Sequence, residues 1–469
     1  MAPNTAISIS HEAAHQTSFA VSSITAESAA SVSELLTKNH REHHIYFNDK
    51  GFHNHIVHHL LTLLALGATP DEIRRAYDGN AHYQRDVYPI HERVLQDLSD
   101  QEIFRSCLYK EEHYTDYLAF FTTELDKKGI PAVVNEYLFS RTPLADNMLA
   151  RLFGGVVHPL LHLGFALETM SSPLVAESLA MTAVHSDFLL PTFLAAESAP
   201  APTPPKTLHQ LLQDVHSERL FATTARTRPS LNLVDGITTH LPDLTTNLLS
   251  QYRLPSPTLP DLPSAIAEQH STLANLCFTS QHPSLSKRPK LDFFLIHALN
   301  ASFFSPVFDH LPWLRPEDKI RLWEWKGRHD ALLYAGVYAP TPVPGLIQGY
   351  QPLARHATWS GVFASARKWG DDGHCAKVVR ALAAGEKMCG GFEGEEWCTV
   401  KAGDWLRYAG VVVESMGGEE GDWVRFAGDD GAWEGVLGRE EWEGCGREVR
   451  RIGNAEAARK RLEGMRTER

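Results

Sequence analysis

Residues 153–168 read FGGVVHPLLHLGFALE, an apolar helix interrupted by two glycines, a proline and two histidines. His158 and His162 stand four apart, so on a helix their imidazoles lie one above the other on a single face. That is the spacing of metal ligands, and equally of two hydrogen-bonded core histidines. Glycine and proline weaken a helix by roughly 1 and 3 kcal/mol against alanine, so their presence points to a local requirement. Pro159 has no N–H for the carbonyl of Gly155, and its ring presses on that same turn. The expectation is a kink with one free carbonyl.

Other apolar segments carry equally misplaced polar groups. His55, His58 and His59 fall in FHNHIVHHLLTLLALGA, at spacings that put them on neighbouring helix faces. His297 is embedded in FFLIHALN, and Lys377 lies in HCAKVVRAL, one turn after His374. An ammonium among Val378, Val379 and Leu382 is costly unless paired or neutral. Singly, His297 can donate to a carbonyl and Lys377 can snorkel along its stem; together these segments argue for a site. Of the 25 histidines, His40, His43 and His44 are expected on loops, in solvent.

The elements that must position these groups read as helices. Phe52 to Ala68 is one, ended by Gly67, and TPDEIRRAYDG is the next, with Thr69 as N-cap, Pro70 at its first position and Gly79 closing it. Helical periodicity continues at 110–127, 145–168, 172–190 and 373–387. The fold is mainly α, a multi-helix single catalytic unit at 46–390. It is preceded by a polar segment at 1–45 and followed by a small glycine-rich C-terminal extension at 391–469. Proline-rich stretches at 197–206 and 253–263 read as exposed connectors. DWLRYAG at 404 and DWVRFAG at 422 read as a duplicated packing element.

The 469 residues are 43% hydrophobic and 22% charged, which is globular composition. A net charge of −13 without any basic block argues against a nucleic-acid partner. No run of 18 apolar residues is present, and the N-terminus lacks the charged start and apolar core of a signal peptide, so a cytoplasmic protein with no membrane partner is expected. Six cysteines without a CxxC pair read as reduced thiols.

The segments FHNHIVHHLLTLLALGA, AHYQRDVYP, FGGVVHPLLHLGFALE, FFLIHALN and HCAKVVRAL, in that order from about residue 40 to 385, resemble the questin oxidase-like family of fungal polyketide tailoring oxygenases. The similarity is strongest to members that open an anthraquinone ring. It implies oxidative cleavage of a fused aromatic quinone in secondary metabolism, and some such proteins are described as Baeyer–Villiger-type oxidases using NADPH and oxygen. A flavin enzyme of that kind needs a GxGxxG turn after a strand, and none occurs in this chain.

A non-haem metal on histidines remains able to activate oxygen, and iron is the usual choice where imidazoles leave a position open. Neutral imidazoles leave the ion's charge uncompensated, so one anionic ligand is expected. Glu168 and Asp292 are candidates. So is Lys377, which the resemblance includes: a desolvated amine loses its proton readily and can add carbon dioxide to become a carbamate. The expected site is a mononuclear Fe(II) on His58, His158, His162, His297 and carboxylated Lys377. His55 and His374 would orient ligands or move protons, and Phe153, Phe294 and Phe303 would wall the aromatic polyketide. The alternatives are an NADPH-dependent Baeyer–Villiger-type monooxygenase on the same substrates, and a non-catalytic helical protein with structural zinc.

Overall fold

A computed structural model describes residues 6–229, 232–254, 262–284, 287–345, 347, 349–417 and 421–438. Helices dominate throughout, and among the described residues the only pairings of β type are isolated bridges, as at Tyr46 with His53 and Asp292 with Val424. The mainly α expectation holds. The chain divides into two compact units, the first built from residues up to Pro200 together with Phe304–Lys326, the second from Ala201 to Phe303 and from Gly327 onward. That differs from one unit bounded at 45 and 390. The N-terminal segment contributes helix Ala26–Glu42, buried along one face, to the first unit, and the extension contributes helix Asp404–Ser415 to the second.

In the first unit, helix Ser172–Val184 is central, packed against helices Tyr114–Val134 and Gly154–Glu168. Its sequence, SPLVAESLAMTAV, is small and apolar on every side, and every residue from Pro173 on is buried. An all-round apolar helix belongs in a core. Helix Ile56–Ala65 joins this group against Gly154–Glu168. It starts four residues later than its apolar run, so His53 precedes it and His55 is its N-cap. Gly67 beyond its end has φ +76°. Thr69 forms the expected cap, with Glu72 returning a bond to its backbone, but that helix continues past Gly79 to Ala81.

In the second unit, helices Leu262–Thr279, Leu295–Ser302 and His374–Cys389 pack on one another, and the last also packs on Asp404–Ser415. The two similar heptapeptides separate here. DWLRYAG begins helix Asp404–Ser415, whereas DWVRFAG is non-helical, with Val424 bridged to Asp292 and Phe426 at φ +63°. Pairing with residues 291–293 fixes the second copy in extended backbone, so it is no duplicated packing element.

The proline-rich stretch at 197–206 begins on the last turn of helix Leu190–Ser198 and is irregular beyond it. Most of the one at 253–263 lies outside the described residues. Cys107, Cys277, Cys375, Cys389 and Cys398 are free thiols, while Cys445 lies outside the described residues. Among the described residues no single helix is long and apolar enough to cross a membrane. Pro143–Arg151 and Gly154–Glu168 reach that length only jointly, across a bend of 98°.

Candidate active site

The first unit holds a cluster of buried imidazoles organised by the irregular start of helix Gly154–Glu168. Gly155, Val156 and Val157 have φ of +52°, +54° and +59°, so the helix is broken one turn before Pro159 rather than kinked at it. The carbonyl of Gly155 that Pro159 cannot serve is not free: the Nδ1–H of His158 donates to it at 2.5 Å. That bond fixes the tautomer and leaves the Nε2 lone pair of His158 facing Nε2 of His55 at 2.8 Å. A Cβ on Gly155 would stand 2.6 Å from Nε2 of His185 and 2.8 Å from Cε1 of His53, so glycine is required there for space as well as for φ.

His162, four residues on, is held differently. Its Nε2–H donates to the Glu177 carboxylate at 2.9 Å, and Nδ1 of His40 donates to the other oxygen at 2.6 Å. Burial alone would push the Glu177 carboxyl up, but the hydrogen bonds from His162 and His40 outweigh it and hold it at about 2. Nδ1 of His162 is buried and has no hydrogen-bond partner. A histidine whose outer nitrogen is fixed by a carboxylate while its inner nitrogen is bare is the usual arrangement of a metal ligand. His58 lies beside both, its ring 5.2 Å from that of His162 and 6.2 Å from that of His158. His59 accepts a hydrogen bond from Asn80 at 3.2 Å.

A third layer backs this cluster. His53 stacks on His158 with centroids 3.9 Å apart and meets His185 nitrogen to nitrogen at 2.8 Å, and His185 in turn contacts the Tyr46 hydroxyl at 3.0 Å. Burial pushes His185 down to about 4, against the raising effect of its bond to the Met181 carbonyl. It is a neutral imidazole at ordinary pH.

The second unit holds the remaining candidates. His297 donates Nδ1–H to the Phe293 carbonyl at 2.7 Å, and its Nε2 faces Nε2 of His374 at 3.1 Å. Nδ1 of His374 is bound by Asp372. Burial first, and the neighbouring His374 and Lys377 next, hold His297 well below the ordinary histidine range. Lys377 is buried, its Nζ has no hydrogen-bond partner, and burial lowers it to about 8 against the opposing pull of Asp372 and Asp371. The amine is therefore far readier to be neutral than a surface lysine.

Two nitrogens that each lie ~2.1 Å from one ion at a right angle are about 3 Å apart. The His55–His158 and His297–His374 pairs have that separation, with the outer nitrogens of His158, His297 and His374 already committed to acceptors. The donor chemistry fits a first-row metal that takes imidazole nitrogen. It also puts His55 and His374, expected as supporting residues, in the same relation to a neighbouring histidine as the expected ligands.

Other sequence-based candidates sit elsewhere. Glu168 ends its helix half-buried, accepting from the Ser18 amide at 2.9 Å. Asp292 accepts from the amides of Phe294, Leu295 and Ala427, so both its oxygens serve backbone. Phe153 packs edge-on against Phe193 in the first unit's core. Phe294 and Phe303 flank helix Leu295–Ser302 at opposite ends, with Phe303 under the Arg380 guanidinium. His40 and His44 are buried rather than solvated, and His43 bonds Asn39. Glu177 was legible as the only charge in an apolar helix; His40, His53, His185 and Tyr46 carried no periodic signal.

These features define a helical protein with buried histidine donor sets. A family model described as Questin oxidase-like matches residues 52–382, which span every candidate from His55 to Lys377 and stop short of the C-terminal extension. Oxidoreductase AflY of Aspergillus parasiticus is 38% identical over 84% of this chain and 80% of its own length. Baeyer-Villiger oxidase ptaJ of Pestalotiopsis fici is 38% identical over 83% and 88%, and questin oxidase of Aspergillus fumigatus is 36% identical over 82% and 88%. The chain is an oxidoreductase, and it belongs to the Questin oxidase-like family.

Proposed function

We infer that this oxidoreductase is a non-haem iron dioxygenase that cleaves a ring carbon–carbon bond of an anthraquinone-type polyketide. The observation that carries the reading is the set of inward-facing, buried nitrogens whose outer atoms are already fixed: His158 on the Gly155 carbonyl, His162 on Glu177, His297 on the Phe293 carbonyl. The proposed iron donors are His58, His158 and His162 in the first unit, with His55 beside His158, and His297 and Lys377 in the second, with His374 beside His297. Iron(II) held by such donors supplies activation of oxygen, and the protein supplies orientation and dryness. The fixed tautomers keep the donor lone pairs in place without reorganisation. The neutral-leaning Lys377, once carboxylated, adds the negative charge that imidazoles lack.

A second reading rests on the names of relatives, several of which are called Baeyer-Villiger oxidases or monooxygenases. It has NADPH-dependent insertion of one oxygen atom beside the quinone carbonyl. Metal analysis and labelling decide between them. Purified protein should contain about one iron per chain, and turnover under oxygen-18 gas should place two labelled atoms in the first product with no NADPH requirement. One labelled atom with NADPH consumed supports the second reading. No stoichiometric metal overturns the first, and stoichiometric zinc without oxygen consumption supports a non-catalytic structural role.

A further inference from the structure

Among the buried side-chain atoms of the second unit without hydrogen-bond partners are Nζ of Lys377 and both Oδ1 and Nδ2 of Asn300. Lys377 is 4% exposed and Asn300 3%. A buried carboxamide with neither its donor nor its acceptor met costs about 1–3 kcal/mol per group, so the fold retains it against a steady penalty.

The placement of the two residues follows from the helices that carry them. His297 on helix Leu295–Ser302 faces His374 on helix His374–Cys389, a separation of 77 in sequence. Further along, His270 spans the same two helices, with Nδ1 on the Ser302 hydroxyl at 2.8 Å and Nε2 on the Ala381 carbonyl at 3.0 Å, positions 79 apart (381 − 302). Two matched points in the same order mean that the helices run side by side in the same direction. Asn300 is three residues beyond His297 and Lys377 three beyond His374, so they share the 77-residue offset and sit one turn on, at a common level.

We propose that Asn300 positions a carboxylated Lys377, its Nδ2–H donating to a carbamate oxygen and its Oδ1 accepting the carbamate N–H. This rests on the reading of Lys377 given above. The neutral amine's lone pair bonds to the carbon of carbon dioxide, one C=O π pair moves onto oxygen, and one amine proton passes to solvent base, leaving –NH–COO⁻. That group presents one N–H and one anionic oxygen side by side, the complement of a carboxamide. One molecule of carbon dioxide thus gives partners to all three orphan atoms. A neutral carboxamide suits the task because an aspartate there would set a second negative charge against the carbamate.

The full-length protein is equilibrated with limiting ¹³C-labelled carbon dioxide, carbamates are fixed with a trialkyloxonium alkylating reagent, and the labelled Lys377 peptide is quantified by mass spectrometry. Asn300→Ala should need about ten- to a hundred-fold more carbon dioxide for equal labelling, the usual effect of losing a hydrogen bond to a charged group. Asn300→Asp, nearly the same shape, should label less still, and thermal melts of both variants show whether the fold is intact. Wild-type labelling retained in either folded variant overturns the role of Asn300 while leaving carboxylated Lys377 standing. Absence of label on Lys377 in the wild-type protein overturns both.

Discussion

The two clusters of buried histidines differ in where they carry their charge. In the first unit the negative charge stands behind the histidines: Glu177 is held at about 2 by His40 and His162, which each bond one of its oxygens. In the second unit Asp372 backs His374, but the groups one turn on are an amine and a carboxamide without partners. The first set carries its negative charge as translated, with Nδ1 of His162 left without a hydrogen-bond partner. The second gains its full complement of bonds only by adding something, and lowering Lys377 to about 8 makes that addition chemically accessible. Satisfied polar clusters rigidify a core, whereas partly satisfied ones mark where a ligand or modification belongs.

The largest expected effect breaks the second set. Lys377→Ala should lose iron and turnover together, by at least about a hundred-fold if a charged ligand is removed from a dry site. A small added carboxylate should restore part of both by replacing the anionic oxygen. Lys377→Arg should fail as well, because a guanidinium stays charged and cannot take up carbon dioxide. Full iron content and full turnover in either variant would make the lysine assignment wrong.

The next effect breaks the first set from behind. Glu177→Gln keeps the shape but removes the charge that fixes His162, so iron affinity should fall about ten- to a hundred-fold. The same carboxylate predicts an acid limb. Its folded pKa lies below the ordinary 4.5, at about 2, so its stabilisation is present above 4.5 and is lost as pH falls from there towards 2. Metal-free protein should lose on the order of 3 kcal/mol over that window, a loss that Glu177→Gln should lack. Acid melts of both proteins that coincide would remove Glu177 from this role.

Smaller again is the effect of Gly155→Ala. The residue is left-handed, and its new Cβ would press on His185 and His53, so a stability loss of about 1–3 kcal/mol is expected with weaker iron binding. Gly164→Ala, whose Cβ would stand 2.4 Å from the Phe304 ring, separates the two causes: it should lower the melting temperature and leave iron affinity in the folded protein unchanged. Equal loss of iron affinity in both would reduce the Gly155 effect to general destabilisation.

How much of this was legible in the sequence depends on the kind of signal. Helices were legible from periodicity and caps, Thr69 most plainly, because those signals are local. The histidines and Lys377 were legible because a polar group inside an apolar run is costly enough to need a reason. What stayed hidden was non-local. Asp292 looked like a candidate anion beside His297, but Ala427, 135 residues away, takes one of its oxygens. His40 looked solvated because its partner, Glu177, is 137 residues away. The expected kink at Pro159 missed the left-handed turn before it, which depends on room that His185 and His53 leave only for glycine. DWLRYAG and DWVRFAG show the limit most directly, since near-identical strings adopt different backbones once one of them pairs with residues 291–293.

The smallest effect concerns Phe153, one of the aromatic residues expected to wall the substrate. Phe153 immediately precedes the broken turn at Gly154–Val157 and is the N-cap of that helix, so a role in holding substrate was a natural expectation. Its surroundings are those of a core residue: it is 1% exposed, with its ring edge-on to Phe193 at 5.3 Å and tilted against Trp325 at 6.4 Å. A residue so enclosed contributes dispersion and apolar burial to the core. Phe153→Leu roughly conserves hydrophobic volume and should cost about 1 kcal/mol of stability, seen as a drop of a few degrees in melting temperature. Iron content and KM should stay at wild-type values, because the tautomer of His158 is set by the Gly155 carbonyl and not by this ring. A several-fold rise in KM with an unchanged melting temperature would return Phe153 to the substrate pocket.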